Sequence, residues 1–269
     1  VTQDGRAGLA ALLAAPARAL IASDFDGTLA PIVPDPADAR ATPAATRALI
    51  MLADLAGTVA VITGRPAADA ARFAGVAAVP NVLVLGHYGR QRWERGRLTG
   101  PAAPPGMAAA RAELPAVLAA AGADPGIRIE DKDEALAVHT RRAAQPQAEL
   151  ARLTGPLAVL AERAGLVLEP GRLVLELRPP GADKGQALRG LAAERGASAV
   201  LFCGDDLGDR RAFAAVRDLR AAGTPGLAVC SGSAEVAELA GEADLVLDGP
   251  DDVAAFLGAL AMAFADGAS

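Results

Sequence analysis

The chain is poor in the residues from which small secreted domains and metal–thiolate sites are built. Among 269 residues there are two cysteines, two histidines, one tryptophan and one tyrosine, and aromatics make up 3%. Cys203 and Cys230 each sit in an apolar run that reads as a strand, so two buried thiols are expected and a disulfide framework is not. His87 and His139 add too few imidazoles for a zinc centre. There is no basic run and no interleaving of aromatic with basic residues, and the net charge is −6, which argues against a nucleic-acid surface. Long apolar runs are also missing, none reaching the roughly 18 residues of a membrane-spanning helix. The stretch Ala7–Ala22 after Arg6 imitates a signal peptide, but Pro16 and Arg18 interrupt it, and cleavage near Ala22 would remove the strand that presents Asp24. A soluble, cytoplasmic protein is therefore expected.

Hydrophobic residues make up 52% of the chain, much of that alanine, so the core must rest on Leu, Val, Ile and Ala. The length leaves room for one large domain or two modest ones. Ala19–Ala22, Val59–Ile62 and Val82–Leu85 are continuous apolar runs, as in strands buried on both faces. Thr42 as N-cap and Pro43 at the first helical position start a helix between the first two, and Pro66 opens the next in the same way. Late in the chain Val200–Cys203, Leu227–Cys230 and Leu245–Leu247 repeat the strand pattern, with helices starting near Asp183, Gly208 and Ser233 and a last one from about Pro250 to Phe264. This alternation predicts a doubly wound, parallel-sheet α/β core over 1–98 and 180–269.

The stretch 99–179 reads differently, as an inserted α+β cap. It opens on the Pro/Gly-rich segment Gly100–Gly106 and goes on to strands of strict alternation. Ile127, Ile129 and Asp131 oppose Arg128, Glu130 and Lys132. Leu136 and Val138 oppose Ala137, His139 and Arg141, and Leu173, Leu175 and Leu177 oppose Arg172, Val174, Glu176 and Arg178. Period two means one packed face and one polar face. Such a polar face can simply meet water, but three segments of one insertion gathering charge together suggest a binding surface.

Four separated motifs carry the chemistry. Asp24-Phe25-Asp26-Gly27-Thr28-Leu29 follows the first buried run directly, where an open α/β sheet presents its ligand site. Two carboxylates on alternate residues repel unless a cation or proton offsets them, and Gly27 lets the backbone turn close to a phosphate. Thr63-Gly64-Arg65-Pro66, also between a strand and a helix, offers a hydroxyl and free N–H groups to an anion. Asp183-Lys184-Gly185 opens a helix with a lysine that could bind phosphate or stand in solvent. Gly204-Asp205-Asp206-Leu207-Gly208-Asp209 sets three carboxylates at the end of a buried strand, a donor set that suits Mg²⁺. Asp209 alone could be a helix cap; with Asp24 and Asp26, metal binding is the better account.

In this order the four motifs resemble the haloacid-dehalogenase superfamily of phosphotransferases. The resemblance implies that Asp24 attacks phosphorus to form an aspartyl-phosphate, while Asp26 protonates the leaving oxygen and then activates water. It implies further that Thr63 and Lys184 hold the phosphoryl oxygens, and that Mg²⁺ binds Asp24, Asp26 through its carbonyl, and Asp205, with Asp206 and Asp209 in support. Within that superfamily, Leu85-Gly86-His87-Tyr88-Gly89, Glu130-Asp131-Lys132, Ala137-Val138-His139-Thr140-Arg141 and Leu175-Glu176-Leu177-Arg178-Pro179 are similar to the trehalose-6-phosphate phosphatase family. That likeness implies a sugar-phosphate substrate held by Arg65, Glu130, Lys132, His139, Arg141 and Glu176, and gives no sign of a protein partner. A phosphatase of another sugar phosphate, of the sucrose-phosphate or mannosyl-phosphoglycerate type, and a phospho-accepting receiver domain are the alternatives.

Overall fold

The structure is a computed structural model that describes residues 1–171, 173–232 and 237–267. The chain forms two compact units, Val1–Gly100 with Asp183–Ser269, and Pro101–Ala182. The strands in chain order are β1 (Ala19–Ser23), β2 (Thr58–Ile62), β3 (Val82–Gly86), β4 (Gln91–Glu94), β5 (Arg97–Thr99), β6 (Arg128–Asp131), β7 (Leu136–His139), β8 (Val167–Gly171), β9 (Val174–Arg178), β10 (Ala199–Gly204), β11 (Gly226–Ser231) and β12 (Leu245–Leu247). The helices are α1 (Gln3–Ala14), α2 (Pro43–Leu55), α3 (Ala67–Phe73), α4 (Pro105–Ala120), α5 (Pro146–Arg163), α6 (Lys184–Arg195), α7 (Arg210–Ala221), α8 (Ala237–Ala240) and α9 (Pro250–Gly267).

The first unit is an α/β sandwich on a sheet of order β12-β11-β10-β1-β2-β3-β4-β5, parallel from β12 to β3. Its central strands are buried on both faces, and strand parity decides which core each side chain joins. Ile21, Val59, Val61, Val84, Leu201 and Val229 pack with residues of α2, α3 and α9, whereas Leu20, Ile62, Leu83, Val200, Phe202 and Cys230 pack with residues of α6 and α7. Phe202 meets Phe213 of α7 edge to face, ring centroids 6.1 Å apart. Strand order runs outward in one direction from β1 and in the other from β10. The ends of these two neighbours are thus the switch point at which an open α/β sheet leaves a crevice.

Local signals account for most boundaries. The Thr42 hydroxyl accepts from the Ala45 N–H at the start of α2, and Asp183 caps α6 by accepting from Gln186. Pro66 departs from expectation: it stands at the N-cap with extended ψ, and Ala67 is the first helical residue. A single 3-10 turn, Leu207–Asp209, precedes α7, so that helix begins at Arg210. The expected helix start at Ser233 lies outside the described residues. The hairpin of β4 and β5 carries no apolar signature because its residues are half-buried or exposed. Arg95 and Gly96, both at positive φ, make its turn, and Arg92–Glu194 and Arg195–Glu94 ion pairs fasten it to α6.

The second unit is an antiparallel sheet of order β6-β7-β9-β8 with α4 and α5 on one face. Leu136, Val138, Leu175 and Leu177 pack beneath those helices with Leu114, Leu153 and Leu157. Ile129, expected on the packed face, is 45% exposed on the edge strand β6, outside the core cluster that Leu136 and Val138 of the neighbouring strand join. β8 went unread in the sequence because Pro170-Gly171 looks like a break; an edge strand tolerates proline. Among the described residues, no helix is long and apolar enough to cross a membrane.

Candidate active site

The site lies where β1 and β10 end side by side. The Asp24 N–H donates to the Cys203 carbonyl at 2.8 Å, so the ladder between the strands extends to the first residue of the motif. Beyond it the chain must turn at once. Gly27 has φ +73°, and a Cβ there would lie 2.0 Å from an Asp205 carboxylate oxygen, so only glycine admits Asp205 to this position. The turn is pinned from both sides. The Ser231 hydroxyl donates to the Gly27 carbonyl at 2.7 Å, and the Thr28 hydroxyl donates to Asp205 at 3.2 Å.

The acidic motif after β10 is folded around Asp209, which is fully buried. Its carboxylate accepts from the backbone N–H groups of Asp205 and Asp206 at 3.0 and 3.3 Å. Gly204 is required here too, since a Cβ would sit 2.5 Å from the Asp209 carboxyl carbon. Lys184, first residue of α6, reaches into the cluster, its Nζ 2.9 Å from Asp24 and 2.8 Å from Asp209. The chain has only two lysines, and this one is buried. Asp24, Asp205 and Asp209 each offer a carboxylate oxygen within 4.8 Å of the others.

Charge in this cluster does not balance. Burial lifts Asp24 well above the usual carboxylate range, with Lys184 opposing and Asp209, Asp206 and Asp26 adding to the rise. Burial and then Asp24, Asp206 and Asp209 lift Asp205 in the same way, and Asp209 is raised to about 6 despite its bond to Lys184. Burial by itself would lower Lys184, yet Asp209, Asp24 and Asp206 override it and push it well above its ordinary value. One ammonium thus faces a surplus of buried carboxylates, a cost that a bound cation would remove. The donors are all oxygen, which fits a hard divalent ion.

The expected residues divide between neighbouring tasks. The Asp26 side chain lies on Arg65, whose Nε and Nη2 donate to its two oxygens at 2.7 Å each. Asp206 caps the 3-10 turn reciprocally with Asp209. Thr63 is buried at the end of β2, its hydroxyl accepting from the Arg65 N–H at 3.2 Å. The turn His87–Gly89 backs this loop. The His87 N–H donates to the Arg65 carbonyl and the Tyr88 N–H to the Thr63 carbonyl, with both residues in the left-handed region. A Cβ on Gly64 would lie 2.8 Å from the Tyr88 hydroxyl, so a side chain at residue 64 would displace the Tyr88 ring. Thr28 and Tyr88 stand within motifs legible in the sequence but without a role there, and Ser231, at the end of β11, carries no sequence signal.

In the second unit the charged parity of the sheet is one connected group. The register sets Glu130 opposite Ala137, and Ala137 opposite Glu176. Lys132 stands 3.6 Å from Glu176 and 3.9 Å from Glu130, and His139 Nε2 is 2.9 Å from Glu130. Glu176 is buried although it is charged. Arg178, expected on the same polar face, is buried and pairs with Glu169 at 2.8 Å. Arg141 is exposed beyond the end of β7, and no ion pair among the described residues joins it to this group.

The chain is similar to known proteins over nearly its whole length. The family model for trehalose-phosphatase matches residues 22–251. The trehalose-phosphate phosphatase of Mycobacterium marinum is 34% identical over 255 residues, covering 88% of this chain and 60% of that protein. That of Mycobacterium leprae is 33% identical over 264 residues, covering 90% of this chain and 57% of that protein. The chain therefore spans about 60% of the length of the curated relatives it matches. Among solved structures, the C-terminal domain of Candida albicans trehalose-6-phosphate phosphatase has the same fold, with TM-score 0.78, 24% identity and coverage of 97% of each chain. The family-model match over residues 22–251 and the 34% identity over 88% of this chain show that the chain belongs to the trehalose-phosphatase family.

Proposed function

We propose that the chain is a Mg²⁺-dependent phosphatase that hydrolyses trehalose 6-phosphate to trehalose and phosphate in trehalose biosynthesis. The observation that carries the chemistry is the buried carboxylate surplus around Asp24, held in contact with Lys184. What supports this substrate is membership of the family, together with the curated relatives' names. In this reading residues 1–98 and 180–269 perform catalysis and 99–179 confer specificity. The substrate is an anion that does not cross a bilayer unaided, so the enzyme works in the compartment where that anion is made, which in this reading is the cytoplasm.

Magnesium, held by Asp24, Asp205 and the Asp26 carbonyl with Asp206 and Asp209 in support, would supply the positive charge that lets a carboxylate approach a phosphate dianion. The Asp24 oxygen attacks phosphorus while the bond from phosphorus to the sugar oxygen breaks, and Asp26 gives its proton to that oxygen. Asp26 then takes a proton from water as the water attacks phosphorus, which releases phosphate and restores Asp24. Lys184 and the Thr63 hydroxyl hold the phosphoryl oxygens. Glu130, Lys132, Glu176 and His139, with Arg141, read sugar hydroxyls, which need paired donors and acceptors. Phosphate release from trehalose 6-phosphate, sucrose 6-phosphate and mannosyl-3-phosphoglycerate, with and without Mg²⁺, tests the reading. Preference for either of the last two would refute the substrate, and full activity in EDTA would refute the metal.

A further inference from the structure

We infer that Arg65 is a positioning residue for Asp26 and not a contact to the sugar. The inference rests on the phosphatase reading above and adds a part to it. Arg65 is fixed on all sides, whereas its partner is not. Besides its two bonds to Asp26, the guanidinium donates from Nη1 to the Pro36 carbonyl at 2.8 Å. Its carbon lies 5.4 Å from the centre of the Phe25 ring and 5.5 Å from that of Phe73. Its backbone is held as well, the N–H by the Thr63 hydroxyl and the carbonyl by the His87 N–H. The Arg65 side chain is 10% exposed and that of Asp26 35%. The anchored group therefore decides where the freer one lies.

A fork of two parallel bonds fixes both the place and the plane of a carboxylate, which a single bond or a point charge does not. Asp26 has to serve twice on the same line: carrying the proton for the leaving oxygen, it gives up one of the two bonds from Arg65 and is held by the other, and once ionised it regains both and can take a proton from water. Misplacement of such a group by about 1 Å costs on the order of a hundredfold. Arg65 also carries this constraint to the loop that places Thr63, because its N–H and the Thr63 hydroxyl are hydrogen-bonded.

The test uses two sugar-free substrates that differ in how much their leaving group needs a proton. Arg65→Lys keeps the charge and loses the fork. On phenyl phosphate, a poor leaving group, kcat/KM should fall by about ten- to a hundredfold. On p-nitrophenyl phosphate it should fall by less than about threefold, because that leaving group departs without protonation. Hydrolysis of the aspartyl-phosphate still needs Asp26, so p-nitrophenyl phosphate should show a burst of one p-nitrophenol per site followed by slow turnover. Asp26→Asn should give the same pattern, and the double variant should be no worse than Asp26→Asn alone. Arg65→Gln carries the same expectation where the lysine variant does not fold. Equal losses on both aryl phosphates, or a double variant whose losses multiply, would overturn the inference. So would a loss confined to trehalose 6-phosphate, which would mark a sugar contact. A wild-type chain that releases phosphate from none of these substrates would overturn the phosphatase reading, and the inference with it.

Discussion

Replacing Asp24 with Asn should abolish turnover and, in the absence of metal, raise the melting temperature. The amide keeps the shape, and its oxygen still accepts from Lys184, 2.9 Å from the carboxylate it replaces. At an effective dielectric constant of about 20, the attraction lost at that distance is about 6 kcal/mol. Repulsion from Asp205 and Asp209, whose ligand oxygens lie within 4.8 Å, is at least about 3.5 kcal/mol each on the same scale. The two nearly cancel, and the relief of burying one charge fewer, several kcal/mol before relaxation, tips the balance. A net gain on the order of 2 kcal/mol would raise Tm by about 4–8 °C. Magnesium should reverse the order. A cation at one hundred times its Kd stabilises the wild type by about 2.7 kcal/mol, and the variant has lost a ligand. Differential scanning calorimetry in EDTA and in Mg²⁺, beside a phosphate-release assay, reads both effects. An Asp24→Asn protein that melts below wild type in EDTA would refute the picture of an uncompensated acidic cluster, and steady turnover by it would refute the covalent route.

Glu176→Gln should lower kcat/KM for trehalose 6-phosphate by about ten- to a hundredfold, the value of one hydrogen bond to a charged group of about 1.5–3 kcal/mol. The loss should be far smaller on p-nitrophenyl phosphate, and equal losses would place Glu176 in the chemical step. Away from the site, burial disfavours ionised Asp244, but Arg220, the Ala228 N–H and the Thr2 hydroxyl outweigh it and hold the carboxyl below its ordinary range. Its stabilisation is therefore full above the unfolded value, about pH 4, and is lost as pH falls through the lower folded value. Asp244→Asn should cost about 1.5–3 kcal/mol at pH 7 in urea unfolding. The gap to wild type should close below about pH 4; a gap unchanged down to pH 2 would show that packing, not the ion pair, carries it.

Much of this protein is legible along the chain because the information is local. A strand buried on both faces must be a continuous apolar run, so Ala19–Ala22, Val59–Ile62 and Val200–Cys203 declare themselves and place Asp24 and Asp205 at strand ends. A sheet packed on one face must alternate, and alternation put Glu130, His139 and Glu176 on one side before any contact was known. What the chain could not show is what depends on packing between distant segments. β5 and β8 are edge strands and β4 is next to the edge, where pairing more than hydrophobicity holds a strand, so they leave little pattern. The family likeness implied a substrate contact for Arg65; that its guanidinium lies on Asp26, 39 residues away, between Pro36, Phe25 and Phe73 depends on packing that the chain alone does not show. The Thr28–Asp205 bond spans 177 residues, and it exists because β1 and β10 are neighbours in the sheet. The residue types of a carboxylate site are written in its motifs, but the balance of charge among them is set by which strands lie side by side and how much water they exclude.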